Sequence, residues 1–126
     1  MQAVLATSRA YVWAIYAVDY DLDIKPVLAV TAPDCTCRAD SMGVLQEMQK
    51  NHSRGYGALP AHVAAFVRGN QGTHAHTQVS YDTGGAREIN TAGKVLDTLK
   101  PQHVVLDLYL RYAGGHWQIF EVINLS

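Results

Sequence analysis

The hydrophobic period of this chain changes once, near residue 61, and that single switch limits the folds open to it. Ahead of it, apolar residues recur at helical spacing. In residues 3–19, Tyr11, Ile15 and Val18 fall on one stripe and Val12, Tyr16 and Asp19 on the next. A helix apolar nearly all round has to be enclosed by other structure. Beyond the switch the pattern alternates, which predicts strands at 61–69, 73–83, 93–100, 103–113 and 116–125. Gly69-Asn70-Gln71-Gly72, Gly84-Gly85 and Ala113-Gly114-Gly115-His116 mark turns between them. Helices first and a long antiparallel meander afterwards define an α+β class, with N-terminal helices packed in the concave face of a strongly curved antiparallel sheet.

Between helix and meander the signals are shorter. Asp21-Leu22-Asp23 reads as the start of a second helix over 22–31, with Pro26 in its first turn. Residues 35–39 read as extended, 41–51 as a helix capped by Ser41, and 53–60 as a loop. The chain has 126 residues, 48% of them apolar, which suits one domain over 1–126 with a real core. Lys+Arg total 10 against 11 Asp+Glu, and no basic run occurs, so a nucleic-acid partner is not expected. No apolar stretch is long enough for a membrane span, and Arg9 interrupts the apolar start, which reads as a core helix. The expected compartment is the cytoplasm, with export as the alternative if a leader has been removed ahead of Met1.

The order of elements carries a resemblance. Tyr11-Val12-Trp13-Ala14-Ile15-Tyr16-Ala17-Val18-Asp19, followed by Leu22-Asp23 and the run Val27 to Cys35, is similar to the opening of the NTF2-like superfamily (SnoaL-like, ketosteroid-isomerase-like). There a long helix, an acidic turn and a short helix lead through an Ala-x-Asp exit into the first strand. The run from Leu108 to Val122, with Gly115-His116-Trp117-Gln118-Ile119, resembles the superfamily's last hairpin. The resemblance implies a cone-shaped fold that hosts isomerases, hydratases, cyclases and non-catalytic binders alike. Carried across residue by residue, the ketosteroid-isomerase set mostly fails. Tyr11 matches the helical tyrosine, but the base position falls on Ala39, beside Asp40, and the late-strand acid falls on Leu108. An epoxide-hydrolase-like Arg between two Asp cannot be placed. Cys35-Thr36-Cys37 also resembles a feature of some small exported bacterial domains, which would favour a non-enzymatic role.

Candidate site residues follow from strand alternation. If Tyr112 pairs with Trp117 in the final hairpin, Leu110, Ile119, Leu108, Glu121 and Leu106 share the concave face. Glu121 is then a carboxylate among apolar side chains, a candidate acid or base; the plain alternatives put it at the mouth of the pocket, pair it with an Arg such as Arg38, or turn it outside through a register slip. Asp40 is the second catalytic candidate. The expected ligand-binding residues are Tyr11, Ile15, Tyr16, Phe66, Leu106, Leu108, Trp117 and Ile119. His74 and His76 point the same way on a strand and could begin a metal site with His62 or His103, but no third ligand is evident. They read as outer-face histidines beside Gln78 and Ser80, and neither metal nor cofactor is expected. Cys35 and Cys37 read as small, partly buried thiols, with a bridge between them as the alternative. The expected function is a small-molecule-binding or protein-interaction domain with an apolar pocket. It would dimerise through an outer face that carries Asp107, Tyr109, Arg111 and Phe120. The alternative is a cofactor-free isomerase, cyclase or lyase acting on an apolar molecule.

Overall fold

The computed structural model describes every residue, 1–126. Three helices come first: α1 (Gln2–Asp21), α2 (Lys25–Val30) and α3 (Thr36–Asn51). Seven strands follow: β1 (Ser53–Gly57), β2 (Ala61–Gln71), β3 (His74–Thr83), β4 (Ala86–Asn90), β5 (Val95–Leu99), β6 (Gln102–Ala113) and β7 (His116–Asn124). They form two antiparallel sheets, one in the order β2-β3-β6-β7 and the other in the order β1-β4-β5.

Alternation decides which side of the larger sheet faces the helices. Ala75, Thr77, Val79 and Tyr81 of β3 pair with Leu110, Leu108, Leu106 and Val104 of β6, and all eight are buried. Helix α1 lays Val4, Tyr11 and Val12 on this face, in one core with Ile119. A second cluster, Ala14, Val18, Val27 and Leu45, binds the three helices to one another. The large sheet covers one flank of α1 and the other helices another, but Ala3, Ala6, Arg9, Ala10 and Trp13 form an exposed stripe, so the helix is not enclosed all round as expected. Each of the fully buried Leu108, Leu110 and Ile119 contributes about 2 kcal/mol of apolar transfer free energy.

One polar contact crosses the helix–sheet core. The Ser8 and Thr77 hydroxyls lie 2.8 Å apart and both residues are wholly buried. Ser8 donates its one proton to the Val4 carbonyl at 2.9 Å, so Thr77 is the donor in the pair.

The sequence expectations differ from the fold in several places. Helix α1 continues to Asp21 and closes on Leu22 in a left-handed conformation, φ 53°. The second helix therefore starts at Lys25, not residue 22, with Pro26 in its first turn as expected. Residues 36–39 are not extended but open α3, and its N-cap is Cys35, with Ser41 buried inside the helix. The two cysteines are not free thiols. The extended cap residue and the first helical turn bring their Cα atoms to 5.1 Å, and the side chains form a disulfide. Strands β1 and β4, which pair with each other, were hidden in segments without alternating apolar residues. After Ala32 the chain does not enter a strand: Thr31 makes one parallel bridge to Ile119 before the turn into α3.

The final hairpin holds the most consequential difference. Tyr112 pairs with Trp117 and Leu110 with Ile119, but the next pair is Tyr109 with Glu121. Phe120 is the extra residue of a β-bulge, and the bulge reverses the phase of everything beyond it. Val122 now faces inward opposite Leu108, and Glu121 is exposed on the outer face. Phe66 is also turned outward. Irregularities on either side of it in β2 set Ala65 against the core and leave Phe66 opposite Gln78, 55% exposed.

Replacing Ser8 by Ala leaves the buried Thr77 hydroxyl without a partner. Urea unfolding should show a loss of about 2 kcal/mol, and adding Thr77→Val should recover part of it, because an all-apolar pair strands no polar group. A single-variant loss that the second substitution deepens would rule out this role for the pair.

Candidate functional site

A cavity of about 630 Å3 lies between α1, α3 and the ends of the two sheets. Helix α1 presents Tyr11, Ile15 and Asp19 to it at successive four-residue steps, with Tyr16 and Tyr20 on the adjacent row. Helix α3 adds Cys37, Asp40, Val44 and Met48. The floor is Tyr81, Val104, Leu106 and Val122, and the β4–β5 hairpin closes one side with Glu88, Asp97 and Leu99.

Gly55 of β1 permits this closure. A Cβ there would stand 2.9 Å from the Tyr20 ring and 3.1 Å from the Asp19 carbonyl oxygen, so only glycine lets the end of α1 press against the small sheet. The Tyr20 hydroxyl donates to the Ala58 carbonyl at 3.1 Å, and Glu88 accepts a 2.6 Å hydrogen bond from Ser53. Thr83 exchanges hydrogen bonds with the Gln102 backbone, and Asp97 and Asn124 accept from neighbouring residues, whereas Tyr11, Tyr16, Tyr81 and Asp19 have no such partner. Tyr11 and Tyr81 are 5% and 4% exposed, and no protein group hydrogen-bonds either hydroxyl. Burial pushes both phenols up to about 12, with Asp40 adding to the effect at Tyr11, so both stay protonated at any physiological pH. Burial raises Tyr16 further still.

Asp19 is the ionisable centre of the wall. Burial first, and the nearby Glu88 carboxylate second, raise its pKa from 3.8 to about 6. It also stands in the last turn of α1, where the helix dipole disfavours an anion and no basic residue offsets it. The chain's ion pairs, His62–Asp82, His76–Asp107, His103–Asp82 and Arg111–Asp34, all lie elsewhere.

Of the residues expected from sequence, Tyr11, Ile15, Tyr16, Leu106 and Asp40 line the cavity. Leu108 and Ile119 are wholly buried in the core behind it. Trp117 packs against that core and edge-on to Tyr112, away from the cavity. Phe66 and Glu121 are outside, for the register reasons given above. Sequence reasoning missed Asp19, Tyr81 and Glu88 as site residues. The four-residue steps from Tyr11 through Ile15 to Asp19 were a usable signal for the first; Glu88 sits on a strand with no legible period.

The histidines separate. His76 stacks on Tyr109 at 4.5 Å on the outer face, its Nε2 being 3.2 Å from the Asp107 carboxylate without hydrogen-bond geometry. His62 and His103 instead share Asp82, at 2.9 and 2.7 Å, and hold its carboxyl below the usual range. No group of three or more His, Cys, Asp or Glu side chains is placed to hold a metal ion. No helix is long and apolar enough to cross a membrane.

Helices enclosed by curled antiparallel sheets around such a cavity define the NTF2-like, or cystatin-like, fold, and this chain has it. Solved structures agree. The intermembrane space region of the chloroplast protein ARC6 superimposes with a TM-score of 0.71 at 14% identity, over 100% of this chain and 98% of that one. An aromatic ring hydroxylase candidate from Novosphingobium aromaticivorans gives 0.57 at 17%, over 99% and 88%. A cystatin-like protein of unknown function from Nostoc punctiforme gives 0.53 at 12%, over 98% and 87%. No protein-family model and no curated protein matches the sequence.

The raised pKa of Asp19 has a measurable consequence. The folded state holds a proton that the unfolded chain has released between about pH 4 and 6, so this group's contribution is full below pH 4 and lost as the pH rises through 6. Asp19→Asn should remove that dependence and stabilise the protein at pH 8 by about 1 kcal/mol, after discounting for solvent access. Denaturant melts of both proteins at pH 4 and pH 8 measure it. An unchanged or lower stability of the variant at pH 8 would contradict it.

Proposed function

We propose that this chain is a small-molecule-binding domain and that the cavity beside α1 is its ligand site. The observation that carries the reading is a sizeable, half-apolar cavity into which two buried tyrosines present hydroxyls with no protein partner. Both hydroxyls open into the cavity, where a ligand can supply the hydrogen bond that the chain does not. The neighbour that is an aromatic ring hydroxylase candidate is compatible with a small-molecule site in this fold. We also propose that two copies associate through the outer face of β3, β6 and β7. There Arg111 lies 5.5 Å over Phe120, Tyr109 lies 6.5 Å from the same ring, and Asp107 adjoins His76. Mixed aromatic and charged surface of this kind suits protein contact. The Cys35–Cys37 bridge favours the exported alternative, because disulfides persist in oxidising compartments.

A second reading has one observation behind it. Asp19, with a pKa near 6, adjoins protonated tyrosine hydroxyls, a base and hydrogen-bond donors in one cavity. On this reading the domain is a cofactor-free isomerase, cyclase or lyase, with Asp19 in the part expected of Glu121 and Asp40 at the rim.

Native mass spectrometry of the protein purified from its own host tests both parts of the main proposal. The expected result is a dimer carrying a co-purified small molecule, which Tyr11→Phe with Tyr81→Phe releases at least ten-fold more readily. An empty protein that also fails to bind apolar dyes in the cavity would refute the ligand site. A monomeric mass at micromolar concentration would refute the dimer.

A further inference from the structure

The charge inside the cavity is one-sided. Asp19, Glu88, Asp40 and Asp97 line it together with one cation, Arg87. Strand register turns that cation away. Arg87 sits opposite Tyr56 and Thr98, whereas Glu88 sits opposite Gly55 and Asp97, so the inward face of the β4–β5 hairpin is acidic. Asp19 is the most confined of the four acids, and it receives neither an ion pair nor a side-chain hydrogen bond from the chain.

The aromatic rings beside it have a definite arrangement. Tyr16 meets Tyr20 at 5.4 Å and 81°, and Tyr81 at 6.3 Å and 74°. Tyr16 therefore stands nearly perpendicular to both neighbouring rings, and all three rings line the cavity close enough to Asp19 to feel its charge. The face of an aromatic ring attracts cations, more strongly where water is excluded. The hydroxyls of Tyr11 and Tyr81, two side chains more than nine-tenths buried, open into the same space and have no hydrogen-bond partner in the chain. An anionic ligand would meet several carboxylates there, and a neutral one would leave Asp19 desolvated and unpaired.

Resting on the cavity being a ligand site, we infer that it takes an organic cation: an ammonium head held by Asp19 and the Tyr16, Tyr20 and Tyr81 rings, with an apolar body along Ile15, Leu106 and Val122. The head replaces the missing counter-charge, and the body covers the apolar floor. Tyr11, deeper in the wall, is left to hydrogen-bond whatever polar group the body carries.

Three probes of one size separate the alternatives: benzyltrimethylammonium, its uncharged near-isostere 2-methyl-1-phenylpropan-2-ol, and anionic phenylacetate. Each is titrated into the whole chain while tyrosine ring resonances are followed by NMR. The expected order is cation first, at least ten-fold tighter than the alcohol, with phenylacetate weakest. Asp19→Asn should cut the cation's affinity about ten-fold and leave the alcohol's within two-fold. Glu88→Gln should act in the same direction on the cation, and it serves if Asp19→Asn does not fold. Alcohol or phenylacetate binding as tightly as the cation overturns the inference about charge while leaving the ligand site standing. If no probe moves a tyrosine resonance, the site and its charge preference both fall.

Discussion

Everything in this molecule follows from the seating of α1 on the concave face of β3 and β6. The helix needs a covered flank, because Val4, Tyr11, Val12 and Val18 gather on one side of it. The sheet cannot be left bare either, since one face of β6 is Val104, Leu106, Leu108 and Leu110. Their mutual burial supplies the main driving force, and the Ser8–Thr77 hydrogen bond fixes where along the sheet the helix rests. Once α1 is fixed there, its far end has to overhang. Asp19 and Tyr20 reach the small sheet instead of the large one, and the space beneath them is the cavity.

That geometry explains why the half-apolar cavity carries carboxylates while the core does not. The first turns of α1 lie on the large sheet through Val4 and Ser8; its later turns pack on α2 and α3 through Ala14 and Val18 and reach the small sheet at Tyr20. Tyr11 stands at the boundary, with its ring in the core and its hydroxyl toward the cavity. A carboxylate at position 19 works against stability, through burial, through Glu88 and through the helix dipole. Residues that oppose the fold in this way mark functional sites when they gather in a cleft. The disulfide contributes differently. It closes a loop with one residue inside it, so it removes little freedom from the unfolded chain and mainly ties the start of α3.

Much of the fold was legible in the sequence, because it rests on periodicity. The apolar helix, the alternation of β3 and the pairing of Tyr112 with Trp117 all follow from residue spacing alone. What escaped was whatever periodicity does not encode. The bulge at Phe120 has no glycine or proline to announce it, yet it moved Glu121 from the concave face to the outside and brought Val122 in. Strands β1 and β4 are held by backbone pairing between segments such as Ser53-Arg54-Gly55-Tyr56-Gly57, whose side chains carry no alternating pattern. Half the site went with them: Glu88 could not be placed without β4, nor Asp19 recognised as confined without Gly55 drawing β1 against it.

The chain confines an unpaired carboxylate at Asp19 beside a tyrosine-lined cavity. The most direct test is a titration of the Asp19 side-chain carboxyl by carbon-detected NMR in the ligand-free protein. The expected midpoint is about pH 6, falling in Glu88→Gln because a like charge has been removed. A midpoint near 4, unaffected by that substitution, would mean that Asp19 is solvated and that the cavity is not the confined site described above.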